Sequence, residues 1–570
     1  MVWRRATAVL TAGLVLAAVI PQGPAAGITG TAAELLRNPG FEGGHATVAS
    51  GWRSNSWGAP APEARFAPET EQAHGGRRAQ RFQVDAEPSR VHLVQAHRFT
   101  GGRTYRASVW VKAVSPVTVT LQVRSDDFKK DFYQAFAVHT TRVGTQWQRI
   151  EAVGTAPHDL SGSFRIFLGG PGAVLVDDAS LTEVSAAGSP DLRPASGPVP
   201  ADYFGMHLLC RGCYGDSWPS VGFGLWRMWD NGVRWRDLEP RRGEWNFKMM
   251  DYFVKSATDN RVSVLYTLGM PPSWAASNQK EGAYGPGSAA MPKRIDDWRR
   301  YVRTVATRYK GRIGMYEMWN EPDYAKFWNG TPAQLAELTR VAAEEIGRAD
   351  PAARIVSPGI TTNGLNWLDQ YLAAGAGEHL DVVGSHIYFG LRPESVLSRV
   401  RNVRGVMKAH GLEKLPLRVT EGAPLGRASS GTAAGAVSRA LVLFWAYGVS
   451  GFDWYTWDRH GEQVLDLAEA DDRTPSTAGR AYAKTVTWLR GARMTGHTVD
   501  GAGTHVVTLA RSGGSAARLV WNERAVATFK VPADWRVTRW QPLSGGSRTA
   551  SPTAINVDGR PVLLESGGRS

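Results

Sequence analysis

The sequence predicts a multidomain chain in which a (β/α)8 TIM barrel is flanked by an N-terminal β-sandwich of jelly-roll type and a small C-terminal β-sandwich. Three observations predict it. Between Asp202 and Ala492, short apolar runs alternate with helical segments over a length close to the roughly 250 residues usual for an eightfold barrel. On either side, in 34–185 and 493–570, apolar and polar residues alternate with period two between turns rich in Gly, Ser and Pro. A chain of 570 residues also exceeds a single core, since about 100–200 residues make a domain.

Residues 1–33 read as a secretory signal. Arg4 and Arg5 give a positive start, Ala6 to Ile20 are almost wholly apolar, and small residues follow at Gly23 to Ala26, so cleavage is placed between Ala25 and Ala33. The run is shorter than the roughly 18 residues that span a bilayer, and an uncleaved anchor is the weaker reading. The mature protein is expected to be extracellular, without an integral membrane segment, and monomeric.

The first sandwich, 34–185, is carried by runs such as "TYRASVWVKA" and "VTVTLQV". Ala186 to Pro200, "AAGSPDLRPASGPVP", resists helix and strand alike, so a linker is placed at 186–201. The barrel, 202–492, supplies eight candidate strands: "YFGMHLL", "LWRMWD", "VSVLYTLG", "GMYEMWN", "RIVSPG", "DVVGSHIY", "LPLRVTE" and "GFDWYTW". Between them, Trp298, Tyr301, Val302, Val305, Ala306 and Tyr309 recur at helical spacing. Thr331, Pro332 and Gln334 have the pattern of a capped helix start. The last part, 493–570, has four alternating runs and no reactive constellation, which suits a packing module. No period of 20–50 residues points to a solenoid.

Hydrophobic residues make up 43% and charged residues 21%, an ordinary globular balance that excludes global disorder. The net charge of +14 would favour approach to acidic polymers such as uronate-bearing polysaccharide. The basic residues are scattered and no nucleic-acid-binding signature is present, so nucleic acid is not an expected partner. The two cysteines, Cys210 and Cys213, share one loop; an oxidising exterior allows a pair there, free thiols are the alternative, and zinc would need further ligands. H-E-x-x-H, phosphate-loop and G-x-S-x-G motifs are absent.

The chemistry-bearing residues are two glutamates at strand ends. Glu321 stands in "YEMWNEPD" and Glu421 in "LRVTEGAP", each closing an apolar run, and parallel barrel strands deliver such residues to one face. Glycosidic hydrolysis needs two such carboxyls, one protonated and one ionised, and neither metal nor organic cofactor.

On "WNEPD", Trp319 to Asp323, the segment from Asp202 to Ala492 resembles clan A glycoside hydrolases, of family 39 or a family 5-like relative. The resemblance implies Glu321 as acid/base, Glu421 as nucleophile and a retaining reaction on a polysaccharide or oligosaccharide. It implies substrate-binding roles for Asn320, at the sugar 2-hydroxyl, and for Arg227, His207, His386, Tyr388, Trp457 and Trp274. Arg227 and Tyr388 are expected to hydrogen-bond Glu421, His386 to meet the substrate or the acid/base region, and Trp457 to offer its face to a sugar. Gly422, Ala423 and Pro424 follow Glu421 where many relatives have an aromatic residue, so the sugar does not carry over.

The first sandwich resembles CenC-like carbohydrate-binding modules of families 4 and 9, on "LLRNPGFEGG" and "VLVDDASLTEV". Trp52, Trp57 and Trp110 could stack on sugars, with core packing the stronger reading for aromatic residues in short strands. The resemblance also implies a structural calcium at Glu42 and Asp177. Two rival functions remain at this stage: a non-catalytic carbohydrate-binding or cell-wall scaffold, and a transglycosylase on the same barrel.

Overall fold

The computed structural model describes residues 33–567 apart from 45–46, 57–63, 86–90, 102, 127–134, 157–158, 169, 185–192, 210–217, 363, 427 and 459–464. The signal-like segment up to residue 32, Trp57, Cys210 and Cys213 therefore lie outside the described residues.

Two antiparallel five-stranded sheets form the first domain. One has the order Arg53–Ser56, Val91–Phe99, Leu160–Leu168, Val117–Ser125, Ala135–Val143; the other Ala64–Glu69, Ala79–Val84, Gly172–Val184, Thr104–Ala113, Gln148–Thr155. Period two decides what faces inward: Tyr105, Ala107, Val109, Val111 and Ala113 are buried against Val119, Leu121, Val123, Phe164 and Ile166. Trp52 belongs to this core, stacked on Phe41 at 4.8 Å with its indole N–H on the Asn38 carbonyl at 3.0 Å, so it has no free face for a sugar. Trp110, on the outer face, is stacked by His74 at 3.9 Å.

The two carboxylates of the calcium expectation accept backbone N–H groups. Asp177 Oδ2 accepts the backbone N–H groups of His74 (2.8 Å) and Gly75 (3.1 Å), and its Oδ1 accepts that of Asp178 (2.7 Å). Glu42 Oε1 accepts those of Arg77 (2.7 Å) and Arg78 (3.1 Å). These donors fill three of the roughly four acceptor positions of Asp177 and two of those of Glu42, so the two carboxylates clasp the turn at 74–78.

Eight parallel strands form the barrel: Phe204–Met206, Leu225–Met228, Ser263–Leu268, Met315–Met318, Arg354–Val356, Val383–His386, Leu417–Gly422 and Val449–Trp454. They pair in the order 5-4-3-2-1-8-7-6, and the bridges Val356 to Val382 and Ile360 to Ser385 close the ring. Six lie within the runs expected for them, while the seventh passes the end of its run by one residue and the eighth begins two residues before its own. The helix Ile295–Arg308 buries Trp298, Tyr301, Val302, Val305 and Ala306, as the spacing required. Pro332–Ala349 begins with the expected reciprocal cap: Thr331 Oγ1 accepts the Gln334 N–H, and Gln334 Oε1 accepts the Thr331 N–H at 2.8 Å.

The barrel interior is not uniformly apolar. Arg418 binds Asp453 through Nε at 2.9 Å and Nη2 at 2.5 Å, both side chains buried. Glycine makes the room: a Cβ on Gly205 would lie 1.6 Å from Asp453 Oδ1, and one on Gly451 1.9 Å from Arg418 Nη1.

The third domain pairs a six-stranded sheet with the two strands Ala527–Lys530 and Ala554–Val557. Alternation splits its larger sheet between two cores. Leu519, Trp521 and Leu563 join the barrel core, while Val520, Val562 and Leu564 face the small sheet. The linker expected to reach 201 is shorter than that. From 193 onward the chain is anchored on the barrel: the Ala195 N–H donates to the Trp445 carbonyl (3.0 Å), the Val199 N–H to the Ala492 carbonyl (2.9 Å), and Val199 is buried.

The first sandwich also rests on the barrel. Asp369 of the helix Leu365–Ala373 accepts the Thr118 hydroxyl at 2.7 Å and meets Arg142 at 3.5 Å and His410 at 2.8 Å.

Candidate active site

Glu421 ends the seventh barrel strand, and Glu321 lies just past the fourth, so both occupy the carboxyl-terminal face. The chain leaves the fourth strand through an unusual path: Trp319 (φ 85°) and Glu321 (φ 42°) are both left-handed. Such strain persists where neighbours over-determine it. Here the Glu321 N–H donates to the Gly359 carbonyl at 2.8 Å. Gly359 is itself required, because a Cβ there would fall 2.1 Å from His386 Nε2.

The two carboxyls face one space. An oxygen of Glu321, an oxygen of Glu421 and a ring nitrogen of His386 all lie within 4.8 Å of one another. Both Glu421 oxygens are held: Oε2 accepts Arg227 Nη1 (2.8 Å) and Oε1 accepts the Tyr388 hydroxyl (2.7 Å). His386 Nδ1 lies 2.9 Å from Glu321 Oε1, and Arg227 Nη2 lies 3.3 Å from His386 Nε2. Nδ1 is placed to give its proton to Glu321 Oε1.

Arg227 is fixed from below. Its Nε donates to Glu317 Oε2 at 2.8 Å and its Nη2 to Asn320 Oδ1 at 2.8 Å, while Thr267 adds a hydroxyl to Glu317 Oε2 at 2.8 Å. Arg227 and Glu317 are wholly buried.

Burial pushes the Glu421 carboxyl above the usual carboxylate range; His386 and Arg227 pull it back, and the nearby Glu321 adds to the rise. Burial lowers His386, yet Glu421 and the hydrogen bond to Glu321 outweigh it and raise the ring above its ordinary value. The Tyr388 hydroxyl is pushed well up by burial and then by Glu421, so it stays a donor.

The structure therefore brings Glu321, Glu421, Asn320, Arg227, His386 and Tyr388 together. His207 lies behind them, buried, with Nε2 3.1 Å from the Thr420 carbonyl; burial and then Arg227 hold it well below its ordinary pKa, hence neutral. Two expected sugar contacts are corrected. Trp457 is only 2% exposed, with its indole N–H on the Asp472 carbonyl at 3.0 Å, and so packs as core instead of presenting a face. Trp274 is turned onto the barrel wall: its N–H donates to the Glu239 carbonyl at 3.0 Å, and the Arg242 and Arg300 guanidinium groups stand 5.1 and 5.8 Å from its ring.

Sequence reasoning missed Glu317, Asp230, Tyr284 and Tyr455. Glu317 had a signal, a lone charge inside the apolar strand "MYEM", of the same kind that marks Arg227 in "LWRM". Asp230 accepts hydroxyl hydrogen bonds from Tyr284 and, at 3.0 Å, from Tyr455. Tyr284 comes from a loop whose reach no local pattern encodes.

The glycosyl hydrolases family 39 model matches residues 222–409, and a carbohydrate binding domain model matches residues 33–174. A curated β-xylosidase of Geobacillus stearothermophilus is 24% identical over 204 residues, 31% of this chain and 40% of that relative, so the match spans well under half the relative's length. Among solved structures, a family 39 glycoside hydrolase from the gut symbiont Bacteroides cellulosilyticus WH2 superposes with a TM-score of 0.53 at 16% identity, covering 80% of this chain and 97% of the other. A family 39 β-xylosidase from Caulobacter crescentus has a TM-score of 0.49 at 18% identity, over 66% of this chain and 98% of the other. The first of these likenesses shows the fold.

Proposed function

We propose that this chain, which combines a family 39 glycosyl hydrolase domain with an N-terminal carbohydrate-binding domain, is a secreted retaining glycoside hydrolase acting on a polysaccharide or oligosaccharide. The observation that carries the reading is the approach of Glu321 and Glu421 oxygens to within 4.8 Å on one face of the barrel. Retaining pairs stand about 5–5.5 Å apart, whereas inverting pairs need roughly 6.5–9.5 Å to admit a water between them.

Double displacement needs a proton on the acid/base and a charge on the nucleophile, and the hydrogen-bond partners suit that division. Glu421 receives the Arg227 and Tyr388 donors, which favour its charge, and Glu321, with one donor from His386, is the carboxyl left to act as the acid. Glu421 attacks the anomeric carbon as the glycosidic C–O bond breaks, and the departing oxygen takes the proton of Glu321. Water then gives a proton to Glu321 and its oxygen to the anomeric carbon, releasing Glu421. Arg227 and Tyr388 hold the attacking carboxylate in place during both displacements.

The test is a screen of plant, fungal and bacterial polysaccharides together with aryl glycosides, followed through reducing-sugar release. Glu421→Gln should abolish release, and NMR of the first-formed product should show the anomer of the substrate. Full activity in the variant, or the opposite anomer, overturns the reading. Export is supported by the amino-terminal apolar run, and N-terminal sequencing of protein recovered from the medium tests it.

A further inference from the structure

We propose that Asp230 selects the sugar that sits beside Glu421, admitting a neutral glycone and refusing one that bears a carboxylate. The inference rests on the glycosidase reading above and adds a substrate class to it.

Asp230 lies two residues beyond the second barrel strand, half-buried, with a left-handed backbone (φ 60°) that a non-glycine residue adopts only when held. It is held by both oxygens. Oδ1 accepts the Tyr284 hydroxyl and Oδ2 the Tyr455 hydroxyl at 3.0 Å. Tyr455 places this carboxylate in the site. Its backbone N–H donates to the carbonyl of Gly422, next to the nucleophile, at 3.0 Å. Its ring lies 6.4 Å from that of Tyr388, whose hydroxyl is 2.7 Å from Glu421. A single tyrosine ring thus separates Asp230 from a group that touches the nucleophile.

The hydroxyls remain donors, since burial and then the Asp230 charge push Tyr284 and Tyr455 far above their ordinary values. Two of the roughly four acceptor positions of the carboxylate are filled, and the others suit sugar hydroxyls. The cations of this cluster are already engaged. Arg227 is bound to Glu421, Glu317 and Asn320. Arg234 is bound to Asp237 at 2.6 Å and stacked 4.0 Å over Tyr284, behind the ring that holds Asp230. A uronate here would meet the carboxylates of Asp230 and Glu421 together. One like charge about 6 Å away at an effective dielectric near 20 costs about a hundredfold in affinity. The +14 net charge governs approach from afar, whereas the Asp230 carboxylate acts at short range.

The experiment compares 4-nitrophenyl glucosides and xylosides with the matching glucuronides, α and β anomers of each, and adds a polysaccharide containing neutral and uronic residues. The new reducing end of each released fragment reports the sugar that occupied the subsite, so an enzyme attacking within chains is read as well. Wild type should cleave the neutral glycosides or leave neutral reducing ends, with uronides disfavoured by about a hundredfold. Asp230→Asn should shrink that ratio at least tenfold while thermal unfolding stays cooperative. Tyr455→Phe, which keeps the carboxylate and removes one anchor, should lower kcat/KM for neutral sugars yet keep the preference. A wild type that accepts uronides equally, or an Asp230→Asn variant with an unchanged ratio, overturns the proposal; an Asp230 that merely ties loop to strand would give the latter. Should Asp230→Asn fail to fold, the wild-type ratio and Tyr455→Phe still decide. A wild type inert towards every neutral and acidic substrate would instead defeat the glycosidase reading.

Discussion

Replacing Arg227 by Met keeps most of its volume and removes its charge, which leaves Glu317 and Glu421 buried without their cation. The guanidinium meets Glu317 at 2.6 Å and Glu421 at 2.8 Å, with Arg227 and Glu317 wholly inaccessible. Removing one partner of such a pair costs about 3–5 kcal/mol, because the other charge stays in a medium that solvates it poorly. Charge centres about 4 Å apart at an effective dielectric near 20 interact by about 4 kcal/mol, so Glu421 should rise by up to about three pK units.

The sign of the pH dependence follows. Glu421 already lies above the usual carboxylate range, and the variant raises it further. Between the unfolded value, near 4.3, and the raised folded value, the native state binds more protons than the unfolded one, so stability falls as pH rises. Arg227→Met should therefore be least destabilised at acid pH and most at alkaline pH. Chemical denaturation at several pH values measures this, and the acidic limb of kcat/KM against pH should move upward. Adding Glu317→Gln to Arg227→Met should return part of the lost stability, since one of the stranded charges is gone. A loss below about 1 kcal/mol at every pH, or an unmoved acidic limb, would refute the reasoning.

Glu321→Gln should reduce kcat/KM by about 10²–10⁴ for substrates with a poor leaving group and far less for 4-nitrophenyl glycosides, whose leaving group needs no proton; steady-state kinetics on both classes checks it. Gly205→Ala would place a Cβ 1.6 Å from Asp453 Oδ1 and break the buried pair with Arg418, so a stability loss of at least 3 kcal/mol or so is expected in denaturant titration. Asp369→Ala removes the acceptor for Thr118 and the partner of Arg142, and should loosen the first sandwich from the barrel. The expected readouts are faster proteolytic cutting between the two domains and a larger radius of gyration, with the barrel's own denaturation midpoint shifted by no more than about 1–3 kcal/mol.

The eight barrel strands and both sandwiches were legible because period two and alternating βα runs are local properties of the sequence. Glu321 and Glu421 were legible for a related reason: a parallel barrel sends every strand's C-terminal end to the same face, so position in the strand predicts position in space. The tryptophans were not. Trp52, Trp274 and Trp457 carry the same side chain, and only tertiary contacts decide that one stacks on Phe41, one lies beneath two arginines and one is sealed by the Asp472 carbonyl. Asp230 was invisible for a different reason, since its significance lies in Tyr284 and Tyr455, 54 and 225 positions away.

Charges set within apolar strands form a ladder through the barrel. Arg418 and Asp453 pair within the interior, Arg227 and Glu317 pair beside them, and Glu421, His386 and Glu321 meet at the mouth. The groups feel one another: Asp453 acts on Arg227, and Glu317 acts on both Arg418 and Asp453, which burial lifts to about 6. Buried ion pairs of this kind are poor stabilisers compared with well-packed apolar residues, so stability alone does not account for two of them in one barrel. Glu421 supplies the reason. Burial by itself drives its carboxyl towards the neutral form, and a neutral carboxyl cannot attack an anomeric carbon. Arg227 opposes that drive only while Glu317 fixes its guanidinium against the nucleophile, so the charges beneath the site are what keep the acid above them usable as a nucleophile.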